Sequence, residues 1–192
     1  MTASKTTPED PRVIRSRAAV LAAALDELAD CGYGKFTIDG VARRAGVARS
    51  TVYRLWNSKP ALIAEAIENL NTQPQRREPD TETPHERIHA LLEHLARALL
   101  SSKVSACLPA LSDGAERDQT VRALHHGYSA RRRAALVSAL KEARDDGSIA
   151  GHVDPDLAAD ALAGAVFYRR LMTNRPMRAE QVDQLVLSVL GR

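Results

Sequence analysis

Residues 37–62, TIDGVARRAGVARSTVYRLWNSKPAL, compress two short helices and the start of a third around one tight turn. Thr37 offers a side-chain oxygen to the unpaired N–H groups of a helix start, and Ile38, Val41, Ala42 and Ala45 follow it at helical spacing. Gly46 ends that helix after about two turns, since glycine enters the left-handed region without steric cost. The next helix is expected over about 48–55, with Val52 and Leu55 inward and Arg49, Ser50, Thr51 and Arg54 outward. Ser58 then caps a longer helix carrying Leu62, Ile63, Ala66, Ile67 and Leu70.

Two short helices joined at a glycine turn can form a helix-turn-helix, in which the second enters the major groove and the first braces it across the backbone. Arginine pairs bidentately with guanine, and threonine meets a thymine methyl or a phosphate. The outward set therefore has the chemistry of duplex reading. Charge is distributed to match: residues 11–59 hold nine Lys or Arg against four acids, whereas residues 60–192 hold 17 against 18. The modest net charge of +3 hides a basic end.

The rest of the chain reads as helix. Apolar residues make up 44% but aromatics only 4%, and Ala and Leu, which favour helices, dominate the apolar set. Asp10-Pro11 opens a first helix with Ile14, Ala18, Leu21, Leu25 and Leu28 on one face, ending at Gly32. Residues 71–83, with two prolines and no apolar side chain, read as a connector between an amino-terminal unit, 1–70, and a second unit, 84–192. Thr83, Pro84 and Glu86 form a capping box before Ile88, Leu91, Leu92, Leu95 and Leu99. Shorter helical signals surround Cys107–Leu111, and a long helix is expected from about Asp118 to Asp146. Asp154-Pro155 opens an eighth helix to about Thr173, and Val182, Leu185, Val186, Val189 and Leu190 mark a ninth. The expected fold is all-α, with about nine helices.

The segment resembles the TetR-type transcriptional regulators. Phe36-Thr37-Ile38, Val41-Ala42-x-x-Ala45-Gly46-Val47, Ser50-Thr51-Val52-Tyr53-Arg54 and Trp56-x-Ser58-Lys59-x-x-Leu62 stand at that family's spacing. The resemblance implies that Thr37 and Lys59 hold phosphates at helix N-termini, that Tyr53 contacts the backbone, and that Arg49, Ser50, Thr51 and Arg54 face the bases. Trp56 occupies the family's usual aromatic position and is read mainly as core. Of Arg43 and Arg44, both suited to phosphate, Arg44 is the expected contact. Ala48 departs from the family, which commonly has a capping Ser there; losing such a cap costs about 0.5–2 kcal/mol. The family's usual member is a ligand-responsive repressor that binds a palindromic operator as a homodimer. A helical ligand-binding or interaction module without specific DNA binding is the competing reading.

The eighth helix is apolar on more than one face, so one face is left for a partner subunit; Leu162, Val166, Val182, Val186 and Val189 are the expected dimer contacts. A small-molecule inducer, apolar or weakly acidic, is expected between the fifth, seventh and eighth helices, against His94, His125, Tyr128, Arg132 and Phe167. Cys31 and Cys107 are too isolated for a metal knuckle and read as buried thiols. His85 and His89, and His125 and His126, have no further ligand at zinc spacing, so no metal or cofactor is expected. No nucleophile elbow, phosphate loop or zincin motif occurs, so catalysis is not expected. No stretch approaches the roughly 20 apolar residues of a membrane span, and no secretory signal opens the chain, so a cytoplasmic protein is expected.

Overall fold

A computed structural model describes residues 11–70, 82–100 and 102–191. Among them are nine α-helices and no strand: α1 Pro11–Lys35, α2 Ile38–Ala45, α3 Arg49–Leu55, α4 Lys59–Leu70, α5 Pro84–Leu100, α6 Ser102–Arg117, α7 Gln119–Asp145, α8 Pro155–Leu171 and α9 Val182–Leu190. A 3-10 turn, Ala179–Gln181, leads into α9. None of these helices is long and apolar enough to cross a membrane. Most of the expected connector, 71–81, and the expected Asp10 cap lie outside the described residues.

Local chemistry accounts for most helix ends. Thr37, Asp118 and Asp154 each accept backbone N–H bonds at an N-terminus, and Thr83 exchanges bonds with Glu86 in the expected capping box. Gly32, at φ 71°, breaks the helical path inside α1, and the chain resumes a further turn to Lys35 instead of stopping. The largest difference from expectation is α6, a continuous helix where only short signals were legible. Pro109 sits inside it and has no N–H to give the Ser105 carbonyl one turn back. Arg170 of α8 supplies the missing donor: its Nη2 reaches that carbonyl at 3.3 Å, and its Nε donates to Ser105 Oγ.

Two apolar cores result. The first gathers Val20, Leu21, Leu25 and Leu28 of α1 with Val41, Val52, Trp56, Leu62 and Ile63, and is completed by Cys107, Ala110 and Leu111 of α6 and Val121 of α7. The second joins α5, α7, α8 and α9 through Ile88, Leu92, Leu140, Leu162, Val166, Val182, Val186 and Leu190. This corrects the expected dimer contacts. Leu162, Val166, Val182 and Val186 are at most 1% exposed within one protomer, and Val189 is half-buried against the same core. The first four side chains are consumed by their own subunit, and Val189 is covered in part. The uncovered face of α8 is instead a stripe one helical turn apart in each step, Leu157, Ala161, Gly164, Tyr168 and Leu171, with Met172 just beyond.

Candidate nucleic-acid interface

The turn between α2 and α3 is built as expected. Thr37 Oγ1 accepts from Gly40 N at 3.0 Å, and Gly46 adopts φ 66°, ψ 30° at the end of α2. Ala48 begins α3 with no side-chain cap. Val52 is the buried pivot of α3, while Arg49, Ser50, Tyr53 and Arg54 are exposed and Thr51 is half-buried. Arg49 lies along the outer surface, 3.0 Å from Asp39 Oδ1, with its Nη2 donating to Tyr53 Oη at 3.3 Å and its guanidinium 5.2 Å from the Tyr53 ring centroid. Arg54 makes no ion pair among the described residues.

Behind α3, one carboxylate of α4 joins the end of α3 to α1. Trp56, 4% exposed, donates its indole N–H to Glu65 Oε2 at 2.9 Å. Arg17 of α1 forks onto the same carboxylate at 2.7 and 2.9 Å. The indole N–H is therefore taken internally. Burial by itself would raise the Glu65 pKa, but the Arg17 and Trp56 bonds outweigh it and hold the carboxyl below its ordinary range. A carboxylate lowered on folding stabilises the fold above its unfolded pKa, about 4.3, and that contribution is lost as the pH falls through the folded value. Trp56 is the only tryptophan. Its fluorescence in an acid titration is expected to show this loss below about pH 4.3, and Glu65→Gln should remove the step; an unchanged step in the variant would assign it to another group.

Two expected phosphate contacts are held by other groups of the same chain. Arg44 is clamped by Glu27 at 2.7 Å and Asp30 at 2.8 Å, which pins α2 to α1. The packing is tight, since a Cβ on Gly40 would lie 2.0 Å from Glu27 Oε1. Arg43, the less favoured neighbour, is exposed as Arg44 is, but makes no ion pair among the described residues. Lys59 donates to the Tyr33 carbonyl and lies 3.9 Å from the Tyr33 ring centroid; burial lowers its pKa.

Tyr33 links elements that no local sequence pattern joins. Its hydroxyl donates to Asp118 Oδ2 at 2.9 Å, and Asp118 also accepts from Thr120 and Val121 at the start of α7. Burial and the Asp118 bond push the Tyr33 phenol up to about 12. One side chain thus touches the end of α1, the start of α4 and the start of α7.

The expected ligand residues divide between two cavities. One, of about 330 Å³, lies between α5, α7 and α8 and is lined by Tyr128, Arg132 and Phe167. The other, of about 160 Å³, lies between α4, α6, α7 and α8 and is lined by His125, again with Tyr128 and Phe167. Arg132 Nη1 donates to Tyr128 Oη. His94 lines neither cavity. It is half-buried, and burial together with Arg132 and Arg97 lowers its pKa.

Comparison with known proteins agrees with this geometry. Residues 20–66 match the family described as bacterial regulatory proteins, tetR family, and residues 78–189 match the tetracyclin repressor-like C-terminal domain. The uncharacterized HTH-type transcriptional regulator Rv1556 of Mycobacterium tuberculosis is 31% identical over 95% of this chain and 90% of its own. A putative TetR-family regulator from Rhodococcus sp. superposes with a TM-score of 0.74 at 18% identity, over 92% of this chain and 97% of its own. NalD, the secondary repressor of the MexAB-OprM multidrug efflux pump in Pseudomonas aeruginosa, gives 0.72 at 22% identity, over 93% and 95%. With its reading helix, its brace and its carboxy-terminal bundle all matched, the chain belongs to the TetR family of helix-turn-helix, DNA-binding transcriptional regulators.

Proposed function

We propose that the protein is a homodimeric repressor that holds two half-sites of a palindromic operator in successive major grooves and lets go when a small molecule occupies its carboxy-terminal bundle. The observation that carries this reading is the pairing of two exposed surfaces at opposite ends of the chain. One is the polar face of α3, with Ser50, Thr51 and Arg54 outward around buried Val52. The other is the α8 stripe, where Leu157, Tyr168 and Met172 are 70%, 60% and 72% exposed. An apolar stripe so open favours a second copy, and two-fold pairing repeats the reading helix at a fixed distance along the duplex. Thr37, Arg43, Tyr53 and the N-terminus of α4 at Lys59 are assigned to phosphates, Lys59 by leaving Tyr33 on contact. Arg44 is assigned to the α1 clamp. The effector reading rests on the two cavities beside Tyr128 and Phe167.

The test is selection of bound duplexes from a random pool, followed by salt titration of the recovered site. Affinity should fall by roughly 0.9 log units per log unit of salt for each phosphate contact. Arg54→Ala and Thr51→Ala should each cost about 1–3 kcal/mol at particular base pairs, while Arg43→Ala should weaken every sequence alike and flatten the salt slope. Equal loss on all sequences for the α3 variants would remove them from base reading. Recovery of no consensus would favour the competing reading as a module without specific DNA binding.

A further inference from the structure

Between Asp30 and Glu65 the chain has a single acid, Asp39. It stands in the first turn of α2, two residues after Thr37, on the surface assigned above to the phosphates. An unpaired carboxylate there would meet the negative field of the duplex and weaken binding to every sequence. Asp39 is paired. Its Oδ1 lies 3.0 Å from Arg49 Nε, and its Oδ2 accepts from Arg49 Nη1 at 3.2 Å, so the two side chains meet DNA as a neutral unit. Arg49 is the first residue of α3, whose start lacks a side-chain cap, and the partial positive charge at a helix N-terminus disfavours a cation. Asp39 offsets that charge from the neighbouring helix.

The pair also fixes how the guanidinium is offered. Tyr53, one turn along α3, accepts from Arg49 Nη2 at 3.3 Å, and its ring centroid lies 5.2 Å from the guanidinium carbon. Hydrogen bonds to two different nitrogens, from α2 and from α3, thus hold one planar group. Each Nη carries two N–H groups and has given one, so one donor on each is left, and the side chain is 61% exposed. Tyr53 Oη accepts here and keeps its own O–H for the phosphate assigned to it. Arg43 and Arg54, also exposed, make no ion pair among the described residues. Arg49 is therefore the arginine of this face that is both outward and held.

We infer that Asp39 is a specificity-determining residue, which holds Arg49 away from the phosphates and presents its remaining donors to a guanine. This rests on α3 entering the major groove. The physical reason is a difference between acceptors. A phosphate is an anion, repelled by the Asp39 carboxylate beside the guanidinium, whereas O6 and N7 of guanine are neutral acceptors spaced for two N–H groups. An unheld arginine settles on a neighbouring phosphate and carries no sequence information there. One held by an acid is turned from that contact and, being already ordered, gives up less rotamer freedom on reaching the base. Asp39 touches no base itself; it is a positioning residue that acts through Arg49.

The test measures the full chain by fluorescence anisotropy on the selected operator and on a panel in which each base pair of a half-site is changed in turn. Arg49→Ala, Asp39→Asn and Asp39→Ala are compared, the asparagine removing the charge and the alanine the acceptor as well, and each Asp39 change is repeated in the Arg49→Ala background. The parent should prefer guanine at one position of the half-site by about tenfold or more. Arg49→Ala should bring that preference to within about twofold, and both Asp39 variants should reduce it at the same position by about fivefold or more. Affinity of the Asp39 variants for non-specific duplex should rise by about fivefold or more at about 0.1 M salt, with a salt slope steeper by about 0.9, as Arg49 gains a phosphate. In the Arg49→Ala background the Asp39 changes should leave the base preferences as they are. Parental preference in both Asp39 variants overturns the inference, whether their affinities are unchanged or shift equally on every sequence, as plain repulsion between Asp39 and the duplex would produce; the groove reading then stands. Base preferences that Asp39 changes alter without Arg49 make Asp39 a reader in its own right and overturn its action through Arg49. Uniform loss on all sequences for Arg49→Ala places Arg49 on a phosphate and overturns it equally. A parent that selects no consensus overturns the groove reading itself.

Discussion

Val186→Asp is expected to unfold the α5–α9 bundle, whereas Met172→Asp should leave it folded and abolish pairing. Val186 is 1% exposed in a single subunit, packed in the core that also buries Leu162, Val166 and Val182. An uncompensated buried charge costs about 3–5 kcal/mol or more, and a whole domain is stable by only about 5–15 kcal/mol. Met172, 72% exposed, has water already around it, so a charge there changes protomer stability by about 0.5 kcal/mol or less while placing like charges across a two-fold contact. Circular dichroism melting and sedimentation velocity separate the outcomes. A folded, monomeric Val186→Asp protein would return Val186 to the interface and contradict the core described above.

The second large effect is expected at Trp56. Trp56→Ala should cost about 3–5 kcal/mol, as large-to-small changes at buried aromatics do, and should remove measurable operator binding. α3 has seven residues, and isolated helices shorter than about 12–15 residues are marginal in water. Its geometry is therefore imposed by Val52 and Trp56 from behind. Without the indole, Glu65 keeps Arg17 but no longer ties the end of α3 to α4. Trp56→Phe keeps most of the apolar contact and gives up one hydrogen bond, a loss of about 0.5–1.5 kcal/mol. Denaturant titration and anisotropy on the selected operator provide the two readouts. Trp56→Ala protein with parental operator affinity would show that α3 holds its shape without this support.

How much was legible in advance follows from the range of each interaction. Caps act within one turn, so Thr37, Thr83 with Glu86, Asp118 and Asp154 marked true helix starts. The α6 helix was obscured because Pro109 breaks the local rule, and its compensation comes from Arg170, 65 residues away from Ser105. The division of labour between Arg43 and Arg44 depends on how closely α1 approaches α2, which no local pattern records. For α8, the stripe through Leu157, Ala161 and Tyr168 and the stripe through Ala158, Leu162 and Val166 have the same helical spacing. Periodicity reveals two apolar faces without saying which one the subunit keeps. The candidate reading face was legible because the motif spans only residues 37–62, whereas Tyr33 was missed because its partner, Asp118, lies 85 residues on.

The distribution of α6 between the two cores bears on how such a protein can be rearranged. Cys107, Ala110 and Leu111 finish the core of α1–α4, and Gly114 leaves room for the Tyr33 ring, where a Cβ would come within 2.8 Å of Cγ. The proline-rich connector is thus a boundary in sequence but not in cooperativity. Residues 11–70 grafted onto another regulator's sensing half would bring α1 with its α6-facing side stripped, and a recombinant exchange of specificities would have to carry α6 and the first turn of α7 along with the reading head. Modularity in this chain ends at Val121, well past the place where the composition changes.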